Sequence, residues 1–296
     1  MTNKYQLIQL YCVICHQYNN ILVADAQRTS NNFLPKFSDE ECITIVLWGL
    51  ANRKHTYRDV HKFIKDYYGD WFPLMPKYKA FNKRVCYLAD AIKTLASVLL
   101  TLLVGDPSHN THLADSVPIV VAKQSRSGRG KVAPDMCDKG YCDSKKMFYY
   151  GIKLHFLCQS RYKTIPQPKQ VLLTKASVHD GKAAKEIFAD VHGIELFGDK
   201  AYIDAEWIAQ IETSNNIRVI TPVKLKKGQH CLDAASKLFS AGVSNVRQPI
   251  ESFFNWLNEL TNIQQASKVR SSNGLISFVF ARISLACLVL ANLLLF

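Results

Sequence analysis

The stretch GIELFGDKAYID, Gly193 to Asp204, sets an aspartate and a lysine directly behind an apolar run. Ile194, Leu196 and Phe197 read as the end of a buried strand, and Asp199 follows without a break in the pattern. Asp is common in turns because its side chain bonds the nearby backbone. Asp199 therefore either begins a turn or forms one corner of a polar site at a strand end. The elements around it decide between the two.

Working outward, the segments DSVPIVVAK, FYYGIKLHFLC, KQVLLTKASV and IELFGD are short runs rich in β-branched and aromatic residues, which predicts strands. HDGKAAKEIFADVH, between the third and fourth, has helical periodicity. DAEWIAQIETSN predicts a further helix, IRVITPV a fifth strand, and RQPIESFFNWLNELTN and GLISFVFARISLACLVLANLLLF two closing helices. Three strands, helix, strand, helix, strand and helices is the order of a ribonuclease-H-like mixed five-stranded sheet flanked by helices, assigned to residues 111–296. Residues 1–110 predict an all-α module. In it Ser38 and Glu41 form a capping-box pattern before an apolar run, FNKRVCYLADAIKTLASVLLTLLV reads as one long helix, and Arg53, Lys54, His55, Tyr57 and Arg58 cluster at a turn.

The formal charge is +13 over 296 residues, which suits a polyanionic partner. No basic segment followed by a long apolar run and a cleavage site opens the chain, so a cytoplasmic protein is expected. The nine cysteines show no disulfide framework and are expected as reduced thiols. CVICH, Cys12 to His16, has haem-attachment spacing but reads as helix core, and Cys137 with Cys142 lacks a second pair for zinc. Arg282 splits the C-terminal apolar run and leaves too few residues for a membrane span, so a buried helix closing against the sheet is expected.

Three acids stand out by position. Asp115 lies at the start of the first strand, Asp199 at the end of the fourth, and Glu251 on a helix with Ile250, Phe253, Phe254 and Leu257 as its apolar face. In a ribonuclease-H-like sheet these places converge at one end. Carboxylates gathered there repel one another unless a cation joins them. Hard oxygen donors suit Mg²⁺, and two such ions assist phosphodiester cleavage.

Around these acids, Lys200 is either a phosphate contact or a solvated lysine, and Tyr202 lies two residues further on. Arg247, four residues before Glu251, either pairs with it or clamps a phosphate. KQSRSGRGKVAP places Lys123, Arg126, Arg129 and Lys131 in a basic loop that could follow a DNA backbone, and PVKLKKGQH is a second such loop. Asp180 is expected to cap the following helix, with a supporting role near the acids as the alternative, and His155 to lie on a strand face.

The blocks LADSVPIVV, YYGIKLHFL, ASVHDG, GDKAY and RQPIESFF, in this order, resemble a bacterial insertion-sequence transposase with a DDE catalytic domain. The resemblance implies Asp115, Asp199 and Glu251 as the metal-binding catalytic triad, with Mg²⁺ as the cofactor and Mn²⁺ as a possible substitute. It also implies double-stranded DNA as partner, cleavage at terminal inverted repeats, strand transfer into target DNA, and a homodimer in the synaptic complex. A related nuclease of the same fold without strand transfer is the alternative. One branch of these enzymes places Tyr three residues before the conserved Arg and Lys seven after the Glu. Here Ser244 and Asn258 stand at those places, which leaves that branch's grip on the cleaved end and its hairpin pathway open.

Overall fold

A computed structural model describes residues 4–26, 35–103, 105, 109–143, 145–202, 204–225 and 228–294. The helical first third contains α1 (Lys4–Gln17), α2 (Asp39–Ala51), α3 (Tyr57–Tyr68), α4 (Tyr78–Tyr87) and α5 (Ala89–Leu102). They are followed by β1 (Thr111–Lys123), α6 (Gln124–Ser127), β2 (Asp138–Cys142), β3 (Met147–Gln159) and β4 (Gln167–Lys175). The remainder is α7 (Asp180–Ile187), β5 (Glu195–Phe197), α8 (Ala205–Asn215), β6 (Arg218–Ile220), α9 (Ala234–Thr261) and α10 (Ser272–Leu290). Two compact units result. One comprises 1–103, 131–135 and 257–296, and the other 104–130 and 136–256.

The helical unit starts as its sequence dictates. The Ser38 hydroxyl accepts from the Glu41 N–H at 3.2 Å, and the Glu41 carboxylate accepts from the Ser38 N–H at 2.7 Å. This capping box satisfies donors that the first turn of α2 leaves free. Asp39, buried next to it, receives Nε of Arg84 on α4 at 2.7 Å and the Tyr18 hydroxyl at 3.0 Å, which ties three segments together. The long helix expected after residue 80 breaks at Leu88 into α4 and α5, bent by 58°.

α10 is long and apolar enough to cross a membrane, but it is largely buried against α2, α4 and α5. The expected closing helix is therefore buried, though against helices rather than the sheet. Arg282 does not divide it. The side chain is buried and donates from Nε to the Thr261 carbonyl at 3.0 Å, from Nη1 to Phe278 at 2.9 Å and from Nη2 to His55 at 2.6 Å. Carbonyl dipoles take the place of water around the guanidinium.

The second unit is a six-stranded mixed sheet ordered β2-β3-β1-β5-β6, with β4 also on β3. β1 and β3 are antiparallel, as are β3 and β4, whereas β1, β5 and β6 are parallel. β2 pairs Met147–Gly151 of β3 and β4 pairs the remainder of that same edge. This is the expected ribonuclease-H-like order with one strand added. β2, DKGYC, is short and begins with polar residues and glycine, so it carries no strand signal. α9 also exceeds expectation. It starts at Ala234, where Asp233 accepts the Ser236 N–H at 2.9 Å, and it runs through Pro249. Its turns up to Trp256 belong to the sheet unit.

Replacing Arg282 with Leu strips charged donors from the buried carbonyls of Thr261 and Phe278 and the partly buried one of His55. The expected loss is about 2–4 kcal/mol, the cost of buried acceptors left unsatisfied. Urea unfolding of wild type and variant measures it, and a loss below about 1 kcal/mol would mean that water reaches these carbonyls.

Candidate active site

The parallel pairing of β1 with β5 spans three residues, Thr111–Leu113 against Glu195–Phe197. Asp115 lies two residues beyond Leu113, and Asp199 two residues beyond Phe197. The register thus carries both carboxylates to the same end of the pairing. Asp115 is the fifth residue of the 13-residue β1 rather than its start. Asp199 ends the extended run, and Lys200–Tyr202 turns into a 3₁₀-helix instead of continuing as strand. Lys200 N–H donates to Asp199 Oδ1 at 2.6 Å, and the Lys200 side chain is exposed. Gly198 leaves room for Tyr202, since an added Cβ would stand 3.0 Å from its ring.

Alternation along β1 separates two environments. Ala114 and its partner Leu157 join the apolar cluster of Ile187, Phe188, Trp207 and Ile211 under α7 and α8. Asp115 pairs with Phe156 and faces the other side. There Phe253 and Phe254 of α9 pack on Phe156, with centroids 5.1 and 5.8 Å away. The apolar face expected around Glu251 therefore docks α9 beside Asp115.

That docking brings in Arg247. Its Nη2 lies 3.3 Å from Asp115 Oδ2 and its Nη1 3.8 Å from Asp199 Oδ1, so one guanidinium spans the two carboxylates. Arg247, for which Glu251 or a phosphate is the expected partner, pairs with the aspartates rather than with Glu251. Its Nε is buried without a partner. Glu251 is exposed, one turn further along the same helix. The structure thus gathers two of the three expected acids. Among the described residues no three His, Cys, Asp or Glu side chains form a metal cluster.

A second polar group lies on the opposite face. Asp180 Oδ1 accepts Lys153 Nζ at 3.0 Å and the Ser116 hydroxyl at 3.2 Å, with His155 Nδ1 3.9 Å away. Lys153 Nζ also donates to the Val178 carbonyl at 2.9 Å, and His155 Nε2 meets Thr174 Oγ1 at 2.8 Å. Burial, more than its charged neighbours, lowers the His155 imidazole to about 4. Asp180 is not the cap of α7. His179 is, its Nδ1 accepting the Gly181 N–H at 3.2 Å, and Asp180 is the first helical residue. Lys153 and His155, two apart in an apolar strand, share a face by simple alternation, and that was the legible signal for this network.

Lys123, at the end of β1, Arg126 in α6, and Arg129 are all exposed. Lys131, also exposed, counts with the helical unit. The expected flexible loop begins with the four-residue helix α6, anchored by buried Ser127. In the second basic loop, Lys226 and Lys227 lie outside the described residues. Asn258, where a lysine was looked for, accepts the Gln264 N–H at 3.3 Å beyond the end of α9.

Residues 107–272 match the family described as the transposase DDE domain. This chain belongs to the DDE transposases. No curated protein and no solved structure matches it. Asp115, Asp199, Arg247 and Glu251 all lie inside the matched span. Membership makes the transposase a DNA-acting enzyme of a family that uses divalent metal ions. The oxygen donors of Asp115 and Asp199 fit such an ion, since they already converge on a single cation, the Arg247 guanidinium.

Burial raises the Asp115 carboxyl to about 6, Arg247 and the Ser116 N–H oppose the rise, and Asp180 and Asp199 add to it. The folded transposase holds this proton more tightly than the unfolded chain, whose carboxyl titrates near about 3.9. Stability from this group is therefore intact below about pH 4 and is lost as pH rises through about 6. In chelated buffer, wild type should lose about 2–3 kcal/mol between pH 4 and 7 relative to Asp115→Asn, followed by urea unfolding. Parallel pH profiles would show Asp115 to be solvated.

Proposed function

We propose that this transposase cuts DNA at the terminal inverted repeats of its element and joins the 3′ ends to target DNA, using Asp115, Asp199 and Glu251. The observation that carries this reading is the convergence of Asp115 and Asp199 on one guanidinium, at the strand end where the family match and the fold coincide. Glu251 completes the set because it follows Arg247 by one helical turn on the helix that docks through Phe253 and Phe254.

The three carboxylates would hold Mg²⁺, or Mn²⁺ in its place. Metal bound there would supply activation of the attacking water or 3′-hydroxyl and stabilisation of the leaving oxygen. The protein's own groups do the positioning. β1 and the end of β5 fix two carboxylates on a packed sheet, which limits their movement. Arg247 offsets their mutual repulsion, and its guanidinium would also grip a phosphate oxygen. The exposed cations Lys123, Arg126, Arg129, Lys131 and Lys200 would contact backbone phosphates, giving affinity without sequence reading. The helical unit binds DNA or pairs two copies in a synaptic homodimer, and the protein acts in the bacterial cytoplasm.

Asp115→Ala, Asp199→Ala and Glu251→Ala should each lower cleavage of DNA carrying the element's own ends by at least about 10³-fold, while leaving DNA affinity within about threefold. Gel analysis of end-labelled products checks this. A Glu251→Ala enzyme cutting at the wild-type rate would remove Glu251 from the site. Nicked but never joined products from wild type would make the protein a nuclease of the same fold.

A further inference from the structure

The helical unit contains a cleft of about 650 Å³ between the start of α3, α4, the α9–α10 connection and the first turns of α10. That volume lies within the about 300–1,000 Å³ of ordinary binding sites. Its charge is one-sided. Arg58, Lys268 and Arg270 line it, and the acid among its lining residues is Asp59. Asp59 is committed locally, its carboxylate accepting the Thr56 hydroxyl at 2.6 Å.

Arg58 and Arg270 are held in place by contacts within the protein, and Lys268 is exposed. The Arg58 guanidinium lies over the Tyr78 ring, 5.2 Å from its centroid, so α4 orients a cation carried by α3. Arg270 donates through Nη1 to the carbonyls of Ser267 and Val269 at 2.9 and 2.6 Å, which fixes the side chain while its other nitrogens stay available. Among the described residues, none of the three forms a salt bridge with a carboxylate. The cleft thus offers three positive charges, two of them oriented by the protein, with aromatic carbon from Tyr78 and the amide of Asn82. Guanidinium and ammonium donors without acids, together with an aromatic wall, suit a phosphodiester chain.

We propose that this cleft is a DNA-backbone site separate from the carboxylates, with Arg58, Lys268 and Arg270 on phosphates. It rests on the transposase reading and locates the DNA grip of the helical unit. A neutral carbohydrate would leave the cations unused, and a strand of DNA brings phosphates in series. Neither base edges nor sequence need be read for this grip to work.

The test is DNA affinity of the full chain by fluorescence anisotropy, without metal, over a salt series. Arg58→Ala/Lys268→Ala/Arg270→Ala should flatten the plot of log affinity against log salt by about 2–3 units, about one for each lost phosphate contact. Lys65→Ala/Lys79→Ala/Lys93→Ala removes the same charge from exposed positions of the same unit outside the cleft, and should flatten it by less than about 1 unit. Asn82→Trp fills the cleft without changing charge, and should weaken binding by about fivefold or more. Thermal melts confirm that each variant is folded. Equal slopes for the two triple variants, or wild-type affinity in a folded Asn82→Trp protein, would overturn the cleft and leave the carboxylate assignment intact. A wild type with no DNA affinity would overturn the transposase reading and the cleft together.

Discussion

Three residue pairs of parallel strand, Thr111–Leu113 on Glu195–Phe197, set the geometry of the candidate site. A parallel neighbour needs a long crossover, and here the crossover takes in β2, β3, β4 and α7 before the chain returns as β5. Because the side-chain period of a strand is two, a slip of one residue would turn Leu196 out of the core and shift Asp199 away from Asp115. Leu196 is fully buried in the cluster under α7 and α8, which specifies the register strongly. Apolar packing on one face thereby fixes where two charged groups meet at the strand ends.

The two faces of the sheet divide the labour. On the α7 side, side-chain bonds join Asp180 to Lys153 and Ser116 and join His155 to Thr174, while His155 Nδ1 is buried without a hydrogen-bond partner. Buried polar groups must be paired in this way or they cost stability. On the α9 side, the carboxylates of Asp115 and Asp199 share one cation, with no other charged partner at salt-bridge distance among the described residues. Asp199 is about half exposed while Asp115 is three-quarters buried, so the pair opens to solvent at one corner. A hydrogen-bonded network holds the strand, and an under-neutralised pair beside it remains able to take a ligand.

Much of this was legible in the sequence because it is periodic. The capping box at Ser38 and the apolar face of α9 follow from local patterns, and the neighbouring of GDKAY and LADSVPIVV follows from the ribonuclease-H-like order of elements. What stayed hidden depends on distant contacts or on weak signals. β2 forms because β3 offers an edge, not because DKGYC favours strand. The break at Leu88 separates two segments that share one continuous apolar pattern. α10 reads as a cover for any apolar surface, and nothing in its composition tells a sheet from a helix bundle. Arg282 read as an interruption because sequence shows a charge but not the three carbonyls that receive it. For Arg247 the sequence offered Glu251 at i+4 or a phosphate, whereas the fold supplied acids from 48 and 132 residues earlier in the chain, at Asp199 and Asp115.

Charge around the carboxylates argues for a division of labour over the whole chain. Asp115, Asp199 and Arg247 sum to one negative charge, −2 + 1 = −1. A polyanion gains nothing by approaching such a site alone, since its phosphates meet like charge in a partly desolvated setting. The chain nevertheless carries a net +13, so its positive charge must lie elsewhere than among these acids. For an enzyme that acts on DNA, affinity and chemistry then fall to different residues. On the proposed reading, exposed cations would draw in and hold the backbone by counterion release, and the strand-end carboxylates would contribute little to that binding.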